Sequence, residues 1–293
     1  MIQFKKLTID DIDIIRPFFE YSNSLACDNT IGGSVMWRDF FDTWYSIIDN
    51  TLLFRMKDPN IGTCFATPMG ENPIDSINKI IEYTKNESIK TFFCPVAEDD
   101  LCLYSSNYNI ITKELIDWSD YIYNAIDLIE LKGRKYSGQR NHINYFKSHY
   151  NNWSVLELNS NNIINAQEFL KKFSLYENKN SIIFKEELYK TYEVFDFFEK
   201  YKMHGIILKV NDTIVGVAAG EIIEDVLYAH IEKANMNYKG SYQVLMNEFA
   251  KKYASDVQYI NREETVGDKG LEISKMQYHP TIILKKYCVE IIN

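Results

Sequence analysis

The stretch that decides the fold runs from Gly205 to Asn261. It opens with Gly205-Ile206-Ile207-Leu208-Lys209-Val210, crosses Asn211-Asp212-Thr213, and continues as Ile214-Val215-Gly216-Val217-Ala218-Ala219-Gly220-Glu221. Two apolar, β-branched runs around a short Asn-Asp turn predict a β-hairpin. Leu227-Tyr228-Ala229-His230-Ile231-Glu232-Lys233 follows as a further strand. After the glycine-containing turn Asn237-Tyr238-Lys239-Gly240-Ser241-Tyr242, the residues Val244, Leu245, Phe249 and Tyr253 recur at helical spacing, and Val257 to Asn261 is again a strand. A hairpin, a strand, a helix and a strand in this order predict a mixed sheet covered by helices, an α/β (α+β) unit.

Working outward, Trp153 to Leu158 reads as a strand, 162–177 and 184–201 as helices, Gly270 to Tyr278 as a short helix, and Thr281 to Ile291 as a terminal strand region. The first half repeats this rhythm. Phe4 to Leu7 is a short strand, and Thr8 is an N-cap for a helix carrying Ile12, Ile15, Phe18 and Phe19. An aromatic-rich helix is expected over Val35 to Tyr45. Leu52–Arg55 and Thr63–Ala66 are strands joined through Asp58-Pro59-Asn60-Ile61-Gly62, Pro73 opens a helix through Lys85, and Thr91–Cys94 is a buried strand. The expectation is two related units, 1–130 and 131–293, each a mixed twisted sheet flanked by helices. Their junction lies in a largely helical stretch between Asp117 and Tyr150.

Composition narrows the function classes. The 293 residues carry 32 Lys+Arg against 41 Asp+Glu, a formal charge of −9, which argues against bulk binding of nucleic acid but permits a local basic strip. Only 12 Gly and 6 Pro exclude collagen-like and low-complexity classes. No apolar run approaches the ~20 residues of a membrane helix, and Met1 to Lys6 leads into an amphipathic pattern without a leader core. Five scattered Cys with no CxxC spacing disfavour a disulfide framework or a structural zinc site, and the expected location is cytoplasmic. His142, His149, His204 and His279 have no metal-ligand spacing, so no metal is expected. Serine-hydrolase, zinc-protease and P-loop motifs are missing from the sequence.

Three groups of polar residues stand out. His230 and Glu232 are two apart on one strand and are expected on one face of the pleat with Tyr228. Asn261-Arg262-Glu263 ends the next strand, where Arg262 would clamp a phosphate or carboxylate and Glu263 would receive an amine. Lys132, Arg134, Lys135, Arg140 and Lys147 form a basic run without an acid; on a helix from Tyr136 to Tyr150, Arg140, Asn144 and Lys147 flank the aromatic stripe and suit phosphate groups. Each group has a plainer alternative: a His–Glu pair inside a sheet, an Arg–Glu bridge, a solvated face with local ion pairs. The first half offers no comparable polar cluster and reads as scaffold.

The strand, turn and helix of 227–253 resemble the GNAT acyltransferase fold, in which a Gln/Arg-x-x-Gly-x-Gly/Ala turn cradles a cofactor pyrophosphate. Asn237, Lys239, Gly240, Ser241 and Tyr242 occupy that place, with Asn237 for Gln/Arg and Tyr242 for the small residue. Over nearly the whole chain, the sequence resembles a bacterial family related to the C-terminal domain of phosphatidylglycerol lysyltransferases. The residues that carry this are Leu131-Lys132-Gly133-Arg134-Lys135-Tyr136, Arg140 to Phe146, His230 to Ala234, Tyr238 to Tyr242, Tyr259 to Glu263, Gly270-Leu271, Lys275, Tyr278 and Pro280. The resemblance implies tandem GNAT-like units and an acyl- or aminoacyl-transferase. Acyl-CoA or aminoacyl-tRNA would be the donor, and a small molecule, lipid or peptide bearing an amine or hydroxyl the acceptor. His230 or Glu232 would then manage the proton, and Tyr278, by analogy with GNAT enzymes, would protonate the leaving group. The alternative is a non-catalytic ligand- or RNA-binding module on the same fold.

Overall fold

The computed structural model describes residues 2–176 and 182–292; residue 177, the last of the helix expected at 162–177, lies outside them. The chain divides into two compact units. One comprises the residues up to Asp120 with Glu264–Gly267 and Ile283 onward, the other Tyr121–Glu263 with Asp268–Ile282. A division at 130/131 therefore does not hold: 121–130 belong to the second unit, and the last eleven residues return to the first.

In the first unit the strands are β1 (Lys5–Lys6), β2 (Trp44–Ile48), β3 (Thr51–Asp58), β4 (Gly62–Phe65), β5 (Met69–Gly70), β6 (Thr91–Ala97) and β7 (Ile110–Glu114). The helices are α1 (Ile12–Ile15), α2 (Ile31–Met36), α3 (Pro73–Asn86) and α4 (Leu101–Ser105). Helix α3 starts with Pro73, where a missing N–H costs nothing, and buries Ile77 and Ile80 in a core with Phe65, Phe93 and Val96. The helix expected over Val35 to Tyr45 is instead the end of α2, a turn with Asp42 in the left-handed region (φ 43°), and strand β2. Trp44 and Tyr45 pair with Arg55 and Phe54, so tertiary strand pairing overrides the local aromatic pattern.

The second unit contains β8 (Asp120–Asn124), β9 (Trp153–Glu157), β10 (His204–Val210), β11 (Thr213–Ile223), β12 (Val226–Ala234), β13 (Tyr259–Asn261) and β14 (Ile282–Leu284). Its helices are α5 (Ala125–Glu130), α6 (Ser137–His149), α7 (Ile163–Tyr176), α8 (Ile182–Asp196), α9 (Phe198–Tyr201), α10 (Ser241–Tyr253) and α11 (Lys269–Met276). The expected hairpin is β10–β11, with Asn211 in the left-handed region at its tip (φ 53°). Val244, Leu245 and Phe249 of α10 pack with Ile206, Leu208, Ala218, Leu227 and Ile260 of the sheet. Strand β13 runs parallel to β12, as a helical crossover requires.

The C-terminal strand β15 (Lys286–Ile291) inserts between β6 and β7, so the first sheet runs β1-β2-β3-β4-β6-β15-β7, with β5 paired to β3. The second runs β9-β10-β11-β12-β13-β8-β14. The two orders are the same: an edge strand, a three-strand meander, a parallel strand after a helix, then an antiparallel strand from another part of the chain. In the first sheet that last strand is the C-terminal β15; in the second it is the junction strand β8. This confirms two α/β units of one mixed-sheet topology, each completed by a strand distant in sequence.

Gly240 immediately precedes α10 at φ 91°, and a Cβ there would lie 2.3 Å from the His142 carbonyl oxygen and 3.1 Å from Phe146 Cβ. This glycine is required by a left-handed turn against α6. Gly240→Ala should lower unfolding free energy by about 2–4 kcal/mol from strain plus overpacking. Urea denaturation checks this, and an unchanged midpoint would contradict the close approach.

Candidate functional site

Strand β12, the end of β13, and helix α11 bring the second polar group of the sequence together with the first. The register between β11 and β12 slips: Ala219 faces Ile231 but Glu221 faces Tyr228, leaving one extra residue on β12. That bulge breaks the alternation expected to place His230 and Glu232 on a common face. The two therefore find different partners.

His230 is buried, with its side chain 1% exposed. Nδ1 lies 2.6 Å from Glu263 Oε1, and Nε2 lies 2.9 Å from Glu221 Oε1. Burial alone would lower its pKa, but the Glu263 and Glu221 carboxylates prevail and push it up to about 10. Two flanking carboxylates favour the imidazolium form, which donates from both nitrogens. That form has no lone pair to accept a proton, so the pairing suits holding Glu263 in place better than general-base work. Glu232 is engaged too: its Oε1 accepts from Arg262 Nε at 2.8 Å and its Oε2 from Nη2 at 2.6 Å.

Arg262 is 7% exposed, and its guanidinium carbon lies 4.8 Å from the Tyr278 ring centroid and 5.8 Å from that of Tyr123. Burial opposes its charge, and the Glu232 carboxylate more than compensates. Its third nitrogen, Nη1, is buried without a hydrogen-bond partner. A buried guanidinium N–H left unpaired is costly unless a ligand oxygen satisfies it. Asn261 sets the local turn, its Oδ1 accepting the Glu263 N–H at 2.7 Å while Glu263 adopts φ 60°. Lys275 of α11 donates to the carbonyls of Arg262 and Glu263, and its own carbonyl accepts from the Tyr123 hydroxyl at 2.9 Å. Glu263, with its side chain 25% exposed, is the most open carboxylate of this assembly. Burial pushes the Tyr278 hydroxyl up to about 12, with the nearby Arg262 charge opposing, so it stays protonated at neutral pH.

The other expected residues are placed differently. In the turn after β12, the Asn237 N–H bonds to Asn235 Oδ1, that of Tyr238 to the Asn235 carbonyl, that of Lys239 to the Tyr150 hydroxyl, and that of Ser241 to the Tyr238 carbonyl. The Ser241 hydroxyl donates to the Asn235 carbonyl, and Tyr242 packs against the core. These four N–H groups are already bonded and are not offered to a pyrophosphate. In the basic run, Lys132 pairs with Glu130 (2.7 Å), Lys135 with Asp127 (3.5 Å) and Lys147 with Glu248 (3.0 Å). Arg140 donates to the carbonyls of Leu131 and Gly133, closing the end of α5. Arg134 and Asn144 are exposed. The strip is thus largely a face with local ion pairs, although Lys239 lies over the Tyr145 ring beside it.

Sequence reasoning gave no site role to Glu221, Tyr123 or Lys275. Lys275 stood among the family-like residues, but nothing local linked Glu221 or Tyr123 to the others. The first unit also departs from a plain scaffold, since Cys27, Asp28, Asp120, Glu264 and Lys286 cluster in its interior.

Comparison with known proteins decides the family. Residues 19–290 match the family described as "Phosphatidylglycerol lysyltransferase, C-terminal". The chain belongs to that family. A conserved protein of unknown function from Bacteroides thetaiotaomicron, 29% identical, superposes with a TM-score of 0.91 over 100% of both chains. L-PGS from Bacillus licheniformis shares the fold at 14% identity and a TM-score of 0.67, covering 96% of this chain and 92% of that one. An uncharacterised protein of Mycoplasmoides gallisepticum is 22% identical over 59% of this chain, and the match spans 56% of that relative's own length. Within the family fold, no helix among the described residues is long and apolar enough to cross a membrane.

The raised His230 pKa has a testable sign. A group whose folded pKa exceeds its unfolded value stabilises fully below the unfolded value, and that contribution is lost as pH rises through the folded one. Wild-type stability should therefore fall between pH 6.5 and about 10 by more than ~1 kcal/mol relative to His230→Gln. Parallel pH profiles from urea denaturation would refute the imidazolium assignment.

Proposed function

We propose that the chain is an acyltransferase of the aminoacyl type, moving an activated acyl group to an amine or hydroxyl acceptor at the Arg262–Glu263 strand end. The observation that carries this reading is the buried, unpartnered Nη1 of Arg262 beside the partly exposed Glu263 carboxylate. The guanidinium N–H suits an oxygen that gains charge as a carbonyl is attacked. Glu263 is the group that takes the acceptor's proton or holds an ammonium, and His230⁺ keeps that carboxylate in place. Tyr278, still protonated, is the donor to the leaving oxygen. Arg262 cannot drift, because Glu232 holds it bidentately.

Of the two donors, the geometry favours an aminoacyl ester over acyl-CoA, since the N–H groups of Asn237, Tyr238, Lys239 and Ser241, in the turn expected to cradle a pyrophosphate, are already bonded within the protein. The family name points to a lysyl group as the moiety moved and phosphatidylglycerol as its acceptor; tRNA is the carrier this reading expects. The second reading, a GNAT-like binding module without chemistry, draws support from the near-complete burial of His230 and Arg262.

The chain is incubated with tRNA charged with labelled amino acids and with phosphatidylglycerol vesicles or amine-bearing peptides. Label should reach an acceptor, and Glu263→Gln should slow transfer by about 100-fold or more while the far-ultraviolet dichroism is unchanged. Absence of transfer from every charged tRNA, with saturable binding of the same tRNA, would favour the binding module.

A further inference from the structure

The interior of the first unit holds a lysine with no exposure at all. Lys286 Nζ lies 2.5 Å from Asp28 Oδ2, 2.7 Å from Asp120 Oδ1 and 3.7 Å from Glu264 Oε2. It also donates to Cys27 Sγ at 3.3 Å. The Cys27 thiol is within hydrogen-bond reach of Asp120 Oδ1 (3.3 Å) and Glu264 Oε2 (3.2 Å), and the Cys27 N–H donates to Asp120 Oδ2 at 2.7 Å. Cys27, Asp28 and Asp120 bring ligand atoms as close together as a metal ion would need, but the Lys286 ammonium sits among those atoms and supplies the positive charge. A sulfur and an amine nitrogen are thus locked together, with one carboxylate oxygen, Asp120 Oδ1, touching both.

We propose that Cys27 and Lys286 are a covalent modification site, joined by an N–O–S bridge when the protein meets dioxygen. The thiol sulfur gives up two electrons and the amine nitrogen two, and dioxygen accepts all four. One oxygen atom remains between sulfur and nitrogen, and the other leaves as water. One S–H and two N–H bonds break; two of the three hydrogens go to the water, and the third passes as a proton to Asp120. New S–O and O–N bonds replace the O–O bond.

The geometry selects this outcome over the commoner fates of a thiol. At 3.3 Å the gap is one that a single oxygen atom closes with little side-chain movement. Cys27 is buried, which shields it from bulky thiols and disulfides but not from a diatomic gas. The bridge also has a consequence for the unit: it discharges the ammonium that pairs with Asp28 and Asp120, and it ties residue 27 to the C-terminal strand β15.

The test is a peptide map of the full chain, digested without reduction after storage under nitrogen with reductant or in oxygenated buffer. Oxygen should produce a joined pair of peptides carrying Cys27 and Lys286, about 14 Da heavier than their sum and released by dithiothreitol. Nitrogen storage should not. Cys27→Ala, which leaves the ammonium among its carboxylates, should lose the joined pair; the wild-type map decides the matter even if that variant does not fold. Recovery of Cys27 as a free thiol, or as sulfinic or sulfonic acid with Lys286 unmodified, would overturn the proposal. So would a directly bonded S–N pair, about 2 Da lighter than the sum.

Discussion

A buried guanidinium cannot be left without a counter-charge, and Arg262 meets this requirement through a two-bond pairing with Glu232. The pair joins the ends of two parallel strands, β12 and β13, where a sheet of this kind opens. Everything else at the site follows from holding that end still. Lys275 fixes the carbonyls of Arg262 and Glu263, Asn261 turns the chain, and the turn aims Glu263 at His230. Removing one member of the Arg–Glu pair would strand a buried charge, which costs several times more than the pair itself contributes.

The site also depends on a strand that is remote in sequence. Tyr123, which flanks Arg262 and bonds to the Lys275 carbonyl, sits on β8, the junction strand that completes the second sheet. In the first sheet the same position is taken by β15, and β15 begins with Lys286, the centre of that unit's buried cluster. In both units, then, the antiparallel strand inserted from elsewhere carries a residue of the polar interior. That arrangement explains why neither polar group is a continuous motif.

Much of the architecture was legible because it is local. The β10–β11 hairpin, α10 and α3 follow from period, turn residues and a proline, and their expected limits agree closely with the observed ones. The aromatic run from Val35 misled because β2 is chosen by its pairing with β3, a non-local contact. The exchange of β8 and β15 was invisible for the same reason. At the site, Arg262, Glu232, His230, Glu263 and Tyr278 were singled out in the sequence, and the structure brings them together. Their couplings were not legible, since a bulge in β12 separates His230 from Glu232 and the charge on His230 is favoured by Glu263 together with Glu221, which lies on a neighbouring strand. Gly240 was read as a phosphate-cradle glycine, whereas its backbone conformation and the nearness of α6 are sufficient reasons for it.

The central proposal is that the strand-end site takes an aminoacyl ester in preference to acyl-CoA. Its most direct test is thermal unfolding of the purified chain with excess acetyl-CoA, free CoA, or a deacylated tRNA pool, at low and moderate salt. A ligand selective for the native state must raise the transition. The account predicts a salt-sensitive rise with tRNA and none with either CoA species. A rise of several degrees with CoA and none with tRNA would contradict it.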